Sequence, residues 1–522
     1  GFANSRHGGD NRGYFVQIEP RMSPSGAAAD EWVPAKPGTE GILALGLAHH
    51  IVASGHYDGD DIDEWKGVLS AYTLEKVAEE TDVSESVLQR LAESFANASP
   101  SLAIGGDGAA NNSNGVDTLV AINALNYLAG NVGTAGGVVF NPNPAGATSH
   151  DHQANYRTLA QLAASARNGD IDVLILNDAN PVFTMPLASE FKAALARIPF
   201  IVSLSSFIDE TSALANVVLP SHTYLESWGD AFPEHGMGFS IGAVSQPVIA
   251  PLYDTKATGD IVLDLARRTG NPMPWDSLED CIKDGWNKIY QRNASDTQTD
   301  SFESFWRALL KAGVWGEKNH RSNDSFRPNA SAIANIGVDV PVFSGDAEVY
   351  PFVLQPFLST LHDGRAANLP WMQELPDAMT SVVYGSWVEM NPKTAENLGL
   401  AEGDLVDIES TEGSVRAPIL VYPAIRPDVI AMPIGQGHSN YGRYASNRGT
   451  NPLEILSPLV DESSGNLASN ATRVKVVATG KHIEIVKTSG KSRDLGRDIV
   501  QTTGGSDHTA QTNSIPIMVI PT

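Results

Sequence analysis

Residues 171–176 read Ile-Asp-Val-Leu-Ile-Leu and residues 200–204 read Phe-Ile-Val-Ser-Leu, two apolar segments that decide the fold of this chain. A helical pattern over residues 187–196 lies between them, which predicts a β–α–β unit with parallel strands. The strands end at Asn177-Asp178 and at Ser205-Ser206. Because ligands of open parallel sheets lie outside the carboxyl ends of the strands, a ligand of this sheet is expected at these two ends.

The alternation of strand and helix signals continues toward the N-terminus and predicts the α/β class for both of the first two regions. In the first region, the predicted strands are residues 14–18 and 101–104, and the predicted helices are residues 40–54, 82–98 and 115–128. We divide the chain into a partial α/β region (1–145) whose N-terminal part is expected to be missing, a second α/β region (146–345), a β-barrel-like domain (346–485) and a polar connector (486–522).

The third region changes periodicity. Residues 405–410 alternate apolar and polar side chains, residues 411–414 form a turn, and residues 415–421 return. This pattern predicts a β-hairpin, in which Pro418 indicates an edge position because proline has no N–H to donate to a neighbouring strand.

Composition excludes several classes of protein. The 522 residues carry 61 acidic against 35 basic side chains, a net charge of −26, which argues against binding of nucleic acid phosphates. The one cysteine, Cys281, cannot build a disulfide framework, a cysteine-rich zinc site or an iron–sulfur cluster, and it is expected to be a partly buried side chain on a helix. The sequence contains no apolar run of about 20 residues, the length that spans a bilayer.

Histidines offer few candidate metal ligands. His49, His50 and His56 could be metal ligands on a helix, but the adjacent His49 and His50 point about 100° apart, so a single ion is not expected to bind both. His150-Asp151-His152 has no third ligand nearby. We therefore predict that the chain binds no metal ion in stoichiometric amounts.

Four segments, in order, resemble the molybdopterin oxidoreductase family, also called the dimethyl-sulfoxide-reductase family. They are Ile-Glu-Pro-Arg at 18–21 with Pro-Gly-Thr-Glu at 37–40, Leu-Asn-Asp-Ala-Asn-Pro at 176–181, residues 207–220 with Leu225-Glu226, and Val-Glu-Met-Asn-Pro at 388–392. The third segment is the most specific, although Asn216 stands where the family usually has an acid. The resemblance implies two α/β regions of the molybdopterin-oxidoreductase fold and a C-terminal β-barrel-like domain of the dinucleotide-binding type.

The resemblance implies cofactor-binding positions. Family knowledge places the guanine nucleotide of a pterin cofactor near the turns at 18–21 and 37–40, where backbone N–H groups and carboxylates can bind it. The candidate residues are Glu19, Thr39, Glu40, Asn177, Asn180, Glu226 and His438. The alternative interpretations are a helix cap with a tight turn for Pro37 to Glu40 and a structural histidine for His438.

A second resemblance narrows the predicted function. The strings at residues 435–445 and 385–389 are similar to the large iron–sulfur subunit of alternative complex III, a bacterial membrane assembly that oxidises quinol. This resemblance implies a periplasmic subunit with no catalytic residue, whose partners are a multihaem cytochrome c, an integral membrane quinol-binding subunit and an iron–sulfur domain. Iron–sulfur clusters and haem c are then expected in the following domain and in the partner subunits.

The charges of the strand-end loops predict that the cofactor cleft is empty. Pyrophosphate requires cations or well-aimed N–H groups. Residues 141–146, 177–180 and 203–209 contain no Lys or Arg, so only Arg21, Lys36 and Arg443 could compensate by reaching inward. We therefore predict a chain without cofactor. The alternative is a catalytic molybdenum enzyme that binds molybdopterin guanine dinucleotide and acts on a sulfur or nitrogen oxyanion.

Overall fold

The computed structural model describes residue 6 and residues 12–140, 154–233, 239–292, 299–316 and 327–489. The loop at 141–146, the His150-Asp151-His152 sequence and most of the predicted connector lie outside these residues. Within the described ranges, no helix combines the length and the apolar character needed to cross a membrane.

In the first region, helices surround one helix that is buried on nearly all sides. β1 (Val16–Ile18) and β2 (Glu31–Val33) form a parallel pair. The helices are α1 (Pro24–Ala28), α2 (Glu40–Ala53), α3 (Ile62–Leu69), α4 (Leu74–Thr81), α5 (Glu85–Asn97), α6 (Asp107–Ala110) and α7 (Gly115–Leu128). α2 is apolar around most of its circumference, which is typical of a helix buried by its neighbours, and its side chains form the core of this region with those of α7.

The predicted strand at 101–104 is wrong, because no strand is assigned there. The side-chain amide of Asn126 bonds both backbone groups of Ala103, as donor and as acceptor, at 2.8 Å each. An asparagine side chain thus takes the place of a neighbouring strand, which the local periodicity could not reveal.

The second region contains the predicted β–α–β unit. β3 (Val173–Leu176), β4 (Phe200–Ser203) and β5 (Val217–Val218) are parallel and lie in that order. The helices α8 (Tyr156–Asn168), α9 (Pro181–Thr184) and α10 (Phe191–Leu195) belong to this region, and α8 and α10 share a buried core with β4. The predicted helix at 187–196 is interrupted at Glu190, which adopts a φ of 52°.

An aromatic core occupies the remainder of the second region. β6 (Gly229–Ala231), β7 (Ile241–Ser245) and β8 (Val314–Gly316) form an antiparallel sheet beside α11 (Thr258–Arg268), α12 (Leu278–Arg292) and α13 (Phe302–Ala312). Trp286 is fully buried there against Phe232, Phe305 and Trp315. Cys281 lies on α12 and is half-buried, as predicted.

The third region is a C-terminal sheet domain. Its strands are β9 (Phe352–Leu358), β10 (Val388–Met390), β11 (Asp404–Glu409), β12 (Ser414–Val421), β13 (Val429–Ile434) and β14 (Arg473–His482). They follow the order β10-β12-β11-β14-β9-β13, and β13 also pairs with β10. α14 (Ala330–Ala334) precedes this domain and packs Ile333 into the core of the first region, and the helices of the sheet domain are α15 (Pro370–Glu374), α16 (Pro392–Leu398) and α17 (Gly442–Ala445). The predicted α/β character and the C-terminal sheet domain are therefore confirmed.

The predicted hairpin is β11 with β12, in the register Leu405↔Pro418 to Glu409↔Ser414. β12 is not an edge strand, but Pro418 itself has a paired strand on one side only. β12 pairs on its other side with β10, but that pairing begins at Ile419, so no ladder partner is required of the proline nitrogen.

A buried ion pair joins the first region to the sheet domain. Arg21, 5% exposed, donates two hydrogen bonds to the fully buried carboxylate of Glu389, and its guanidinium lies 3.6 Å from the ring centre of Phe357. Burial lowers the pKa of Arg21, but the bond to Glu389 and its charge raise that pKa by more. These contacts hold β9 and β10 against the turn that follows β1.

Candidate functional site

Three buried oxygen acceptors without hydrogen-bond partners meet where the first region touches the sheet domain. Glu40 Oε2, Asn112 Oδ1 and Gln355 Oε1 have no hydrogen-bond partner among the described residues. All three side chains line one small cavity with Pro37, Gly38 and Asn470. An unpaired buried acceptor costs about 1–3 kcal/mol, so a ligand that donates to all three would recover a sizeable free energy.

The local structure aims each acceptor into the cavity. Glu40 opens α2 directly after the Pro37–Thr39 turn, and its residue as a whole is half-buried while its Oε2 atom is buried. Asn112, 1% exposed, donates through Nδ2 to the carbonyl of Gly108 at 2.9 Å, which leaves Oδ1 facing the cavity. Gln355 projects from β9. The cavity therefore presents acceptors from a helix, a loop and a strand.

Burial raises the pKa of Glu40 to about 7, although hydrogen bonds from its own backbone N–H and that of Gly38 oppose the rise. A carboxyl with this pKa releases its proton near neutral pH when a donor approaches. The three unpartnered oxygens therefore suit a group that carries N–H donors.

Glu19 and Thr39, predicted from the same turns, have structural partners. Glu19 accepts from the backbone N–H of Ser23 at 2.7 Å, and burial raises its pKa. The hydroxyl of Thr39 donates to the carbonyl of Lys36 at 2.8 Å and closes the turn. These two residues shape the turns rather than face the cavity.

The three cations considered as compensating charges have partners elsewhere. Arg21 is bound to Glu389, Lys36 donates to the carbonyl of Glu79 at 3.0 Å, and Arg443 lies over the ring of Tyr444. A different cation, Arg365, lies near the strand-end loop. Its ion pair with Asp363 raises its pKa, and Asp178 raises it further.

A second cluster joins the strand ends of the second region to the sheet domain. The Glu210 carboxylate accepts from Asn180 Nδ2 at 2.7 Å and from the backbone N–H groups of Ser439 and Asn440 at 2.7 and 3.0 Å. His438 Nδ1 lies 3.2 Å from the same carboxylate. The structure therefore brings the predicted residues Asn180 and His438 together, through Glu210.

His438 is enclosed on every side. Its exposure is 2%, its ring stacks on Phe183 with centroids 3.7 Å apart, and its Nε2 lies 3.2 Å from the carbonyl of Gly364. The two ring nitrogens therefore contact the Glu210 carboxylate on one side and the Gly364 carbonyl on the other. Gly364 is required here: its φ is +101°, and a Cβ would lie 2.7 Å from His438 Nε2.

The pKa of Glu210 is governed by opposing effects. Burial raises it, but the bonds from His438, Asn180 and Asn440 outweigh burial and hold the pKa at about 2. Glu210 is therefore a permanent anion whose charge is used within the protein.

Asn177 and Glu226, also predicted, lie outside both clusters. Asn177 Oδ1 accepts from the hydroxyl of Thr258 at 3.3 Å. Glu226 accepts from the backbone N–H groups of Thr223 and Leu252, which shapes its own loop. Among the residues that the structure describes, no three His, Cys, Asp or Glu side chains gather as metal ligands, and the absence of a bound metal stays a prediction.

Sequence reasoning missed Glu210, Asn112 and Gln355. Glu210 lies inside the most specific family segment, so its position was a usable signal, although no role was given to it. Asn112 and Gln355 stand in a polar loop and a strand whose local sequence carries no sign of a site.

Comparison with known proteins places these clusters in a family. Residues 7–268 match the family described as molybdopterin oxidoreductase, and residues 368–473 match the molydopterin dinucleotide binding domain. The matched ranges include Glu40, Asn112, Glu210 and His438. Asn216, which stands where the family usually has an acid, has a structural role. Its Oδ1 accepts from the backbone N–H of Ile201 at 2.7 Å, and this contact needs no charge.

Two relatives and one solved structure resemble this chain. The chain is 29% identical to the menaquinone reductase molybdopterin-binding-like subunit of Nitratidesulfovibrio vulgaris, over 89% of this chain and 65% of that protein. It is 24% identical to the arsenate respiratory reductase molybdopterin-containing subunit of Shewanella sp. strain ANA-3, over 86% of this chain and 69% of that protein. The structure of acetylene hydratase from Pelobacter acetylenicus superposes with a TM-score of 0.69 at 18% identity, over 89% of this chain and 74% of that one, which shows the shared fold.

The prediction that this chain holds no cofactor is wrong. The match to a dinucleotide-binding domain and the two relatives named for molybdopterin point to a molybdopterin dinucleotide. The error came from counting only Lys and Arg in three loops. The unpartnered acceptors of Glu40, Asn112 and Gln355 fit a base edge that donates, and this part of the ligand needs no cation.

Proposed function

Because this chain belongs to the molybdopterin oxidoreductase family, we propose that it binds a molybdopterin dinucleotide and serves as the large redox subunit of an oxidoreductase complex. The observation that carries the proposal is the set of three unpartnered acceptors at Glu40, Asn112 and Gln355, which lies in a chain matched to the family in both halves.

The chemistry of the acceptors matches guanine. The Watson–Crick edge of guanine carries an N–H and an amino group as adjacent donors, and each of these three side chains has one unpartnered oxygen at the cavity. Glu40 would hold the edge as a carboxylate, and Asn112 and Gln355 would add neutral oxygens. When bound, the dinucleotide supplies redox chemistry at the metal that its dithiolene carries.

The first candidate activity is reduction or oxidation of an oxyanion. The similarity to an arsenate respiratory reductase subunit supports it, as does a chain that retains a site for the dinucleotide. Oxyanions are the substrate class that we propose. The role of this chain's own residues is to bind the nucleotide end of the cofactor and to exclude water from its base.

The second candidate is a subunit of a quinone-linked membrane complex. The similarity to a menaquinone reductase subunit favours it and is consistent with the resemblance to alternative complex III. In this arrangement a cytochrome c, an integral membrane subunit and an iron–sulfur domain are the proposed partners, and the periplasm is the proposed location.

Extraction of the native complex tests the proposal. After denaturation and oxidation, we expect stoichiometric pterin fluorescence together with molybdenum or tungsten. The metal would be carried by the dinucleotide, and its presence would refute the prediction that the chain binds no metal ion. An Asn112→Leu/Gln355→Leu variant should lose pterin, whereas Asp407→Asn, on the outer face of the sheet domain, should retain it. Native complex without pterin would overturn the proposal. Two activity assays then separate the candidates. Electron transfer to or from oxyanions supports the first, and reduction of a quinone or oxidation of a quinol in membranes supports the second.

A further inference from the structure

We propose that Glu210 and His438 are positioning residues for the dinucleotide site, an inference that rests on the proposed function. Glu210 lies on the segment after β4, and its carboxylate joins two loops that are distant in sequence. One loop follows β3 and contributes Asn180, and the other is the glycine-flanked segment 438–440 of the sheet domain.

The location of the two loops connects them to the cofactor. The first is a strand-end loop of a parallel sheet, the position at which such sheets bind ligands. The second lies within residues 368–473, the range matched to the dinucleotide-binding domain. One carboxylate therefore fixes the distance between the two segments that would border the dinucleotide.

The side chains that bind Glu210 are themselves held by other contacts. Asn180 is itself fixed, because its Oδ1 accepts from the backbone N–H and the hydroxyl of Thr211 at 3.2 and 2.7 Å. His438 is clamped between Phe183 and the carbonyl of Gly364. Since each partner of Glu210 has a second anchor, a change at Glu210 alters the geometry of both loops together.

Glu226 provides a matched control. Like Glu210 it is a carboxylate of the second region, it is largely shielded from solvent, and it accepts from two backbone N–H groups. Both donors, Thr223 and Leu252, belong to its own region. A Glu226→Gln change therefore perturbs a loop of the second region and leaves its connection to the sheet domain intact.

The test measures release of the dinucleotide from the folded native complex. Wild type, Glu210→Gln, Glu210→Asp, His438→Gln and Glu226→Gln are held below their unfolding temperatures, and free pterin is followed over time by fluorescence after oxidation. At position 210, glutamine turns a donor toward Asn180 or His438, so we expect release about 10-fold faster, the scale typical of residues that orient ligand-binding groups. Glu210→Asp keeps the charge and should recover part of the retention.

Each outcome decides the proposal. Faster release from both Glu210→Gln and His438→Gln supports the positioning role. If the two residues act through one shared contact, the Glu210→Gln/His438→Gln double variant should release pterin no faster than Glu210→Gln alone. Equal release from wild type and Glu210→Gln overturns the positioning role and leaves dinucleotide binding intact. Equally fast release from Glu226→Gln also overturns it, because general loosening of the second region would then suffice. A wild-type complex without dinucleotide refutes the proposed function, and this inference with it.

Discussion

Replacing Glu389 with glutamine should destabilise the junction between the first region and the sheet domain. Arg21 is 5% exposed and Glu389 is fully buried. Removing one partner of a buried ion pair costs about 3–5 kcal/mol, because the remaining charge stays out of water. Glutamine keeps one oxygen that can accept from Arg21, and the ring of Phe357 still faces the guanidinium. We therefore expect the lower end, about 3 kcal/mol.

The assay is thermal unfolding followed by circular dichroism. At about 2–4 °C per kcal/mol for domains of 150–250 residues, the midpoint of Glu389→Gln should fall by roughly 6–12 °C. Asp407→Asn breaks the exposed pair with Arg416 in the same sheet and serves as the control, with no resolvable fall expected. A double Arg21→Met/Glu389→Met variant removes both charges and should regain most of the loss.

Two results would refute this reasoning. Equal midpoints for Glu389→Gln and Asp407→Asn would show that burial of the pair does not matter. A double variant as unstable as Glu389→Gln would show that the loss comes from packing rather than from an unpaired charge.

Two further predictions concern the two clusters. Because burial raises the pKa of Glu40 from 4.5 to about 7, the folded dinucleotide-free chain binds more protons than the unfolded chain in that window, so its stability falls as pH rises through it. Glu40→Gln should remove this pH dependence in thermal scans, and an unchanged pH profile would contradict the assignment. Gly364→Ala should destabilise the chain by about 1–3 kcal/mol, since φ is +101° and the new Cβ meets Phe183 and His438. Gly385→Ala, which meets open space, should leave the midpoint unchanged, and equal shifts would refute the steric argument.

Local patterns predicted the elements that depend on neighbouring residues. The β–α–β unit and the hairpin of β11 with β12 appear where apolar runs and alternation placed them. The strand at 101–104 failed because its partner is the side chain of Asn126, and periodicity does not report which group pairs with a backbone.

The candidate site divides in the same way. Glu40 and Asn180 were identified in the family segments and His438 in the string at 435–445, yet their roles differ in the structure. Glu40 carries an unpartnered oxygen, whereas Asn180 and His438 bind the protein's own Glu210. The sequence does not distinguish the two cases, because a polar side chain that binds a ligand and one that binds the protein itself can be the same type of residue.

The sequence alone determined the family, the α/β class and the segments that carry the site, because each depends on short-range order of residue types. The tertiary structure decided which acceptors remain free. Glu40, Asn112 and Gln355 are separated by up to hundreds of positions and meet only when the sheet domain packs on the first region. Whether a buried polar atom is satisfied depends on every neighbour in space, and that information is absent from any single stretch of chain.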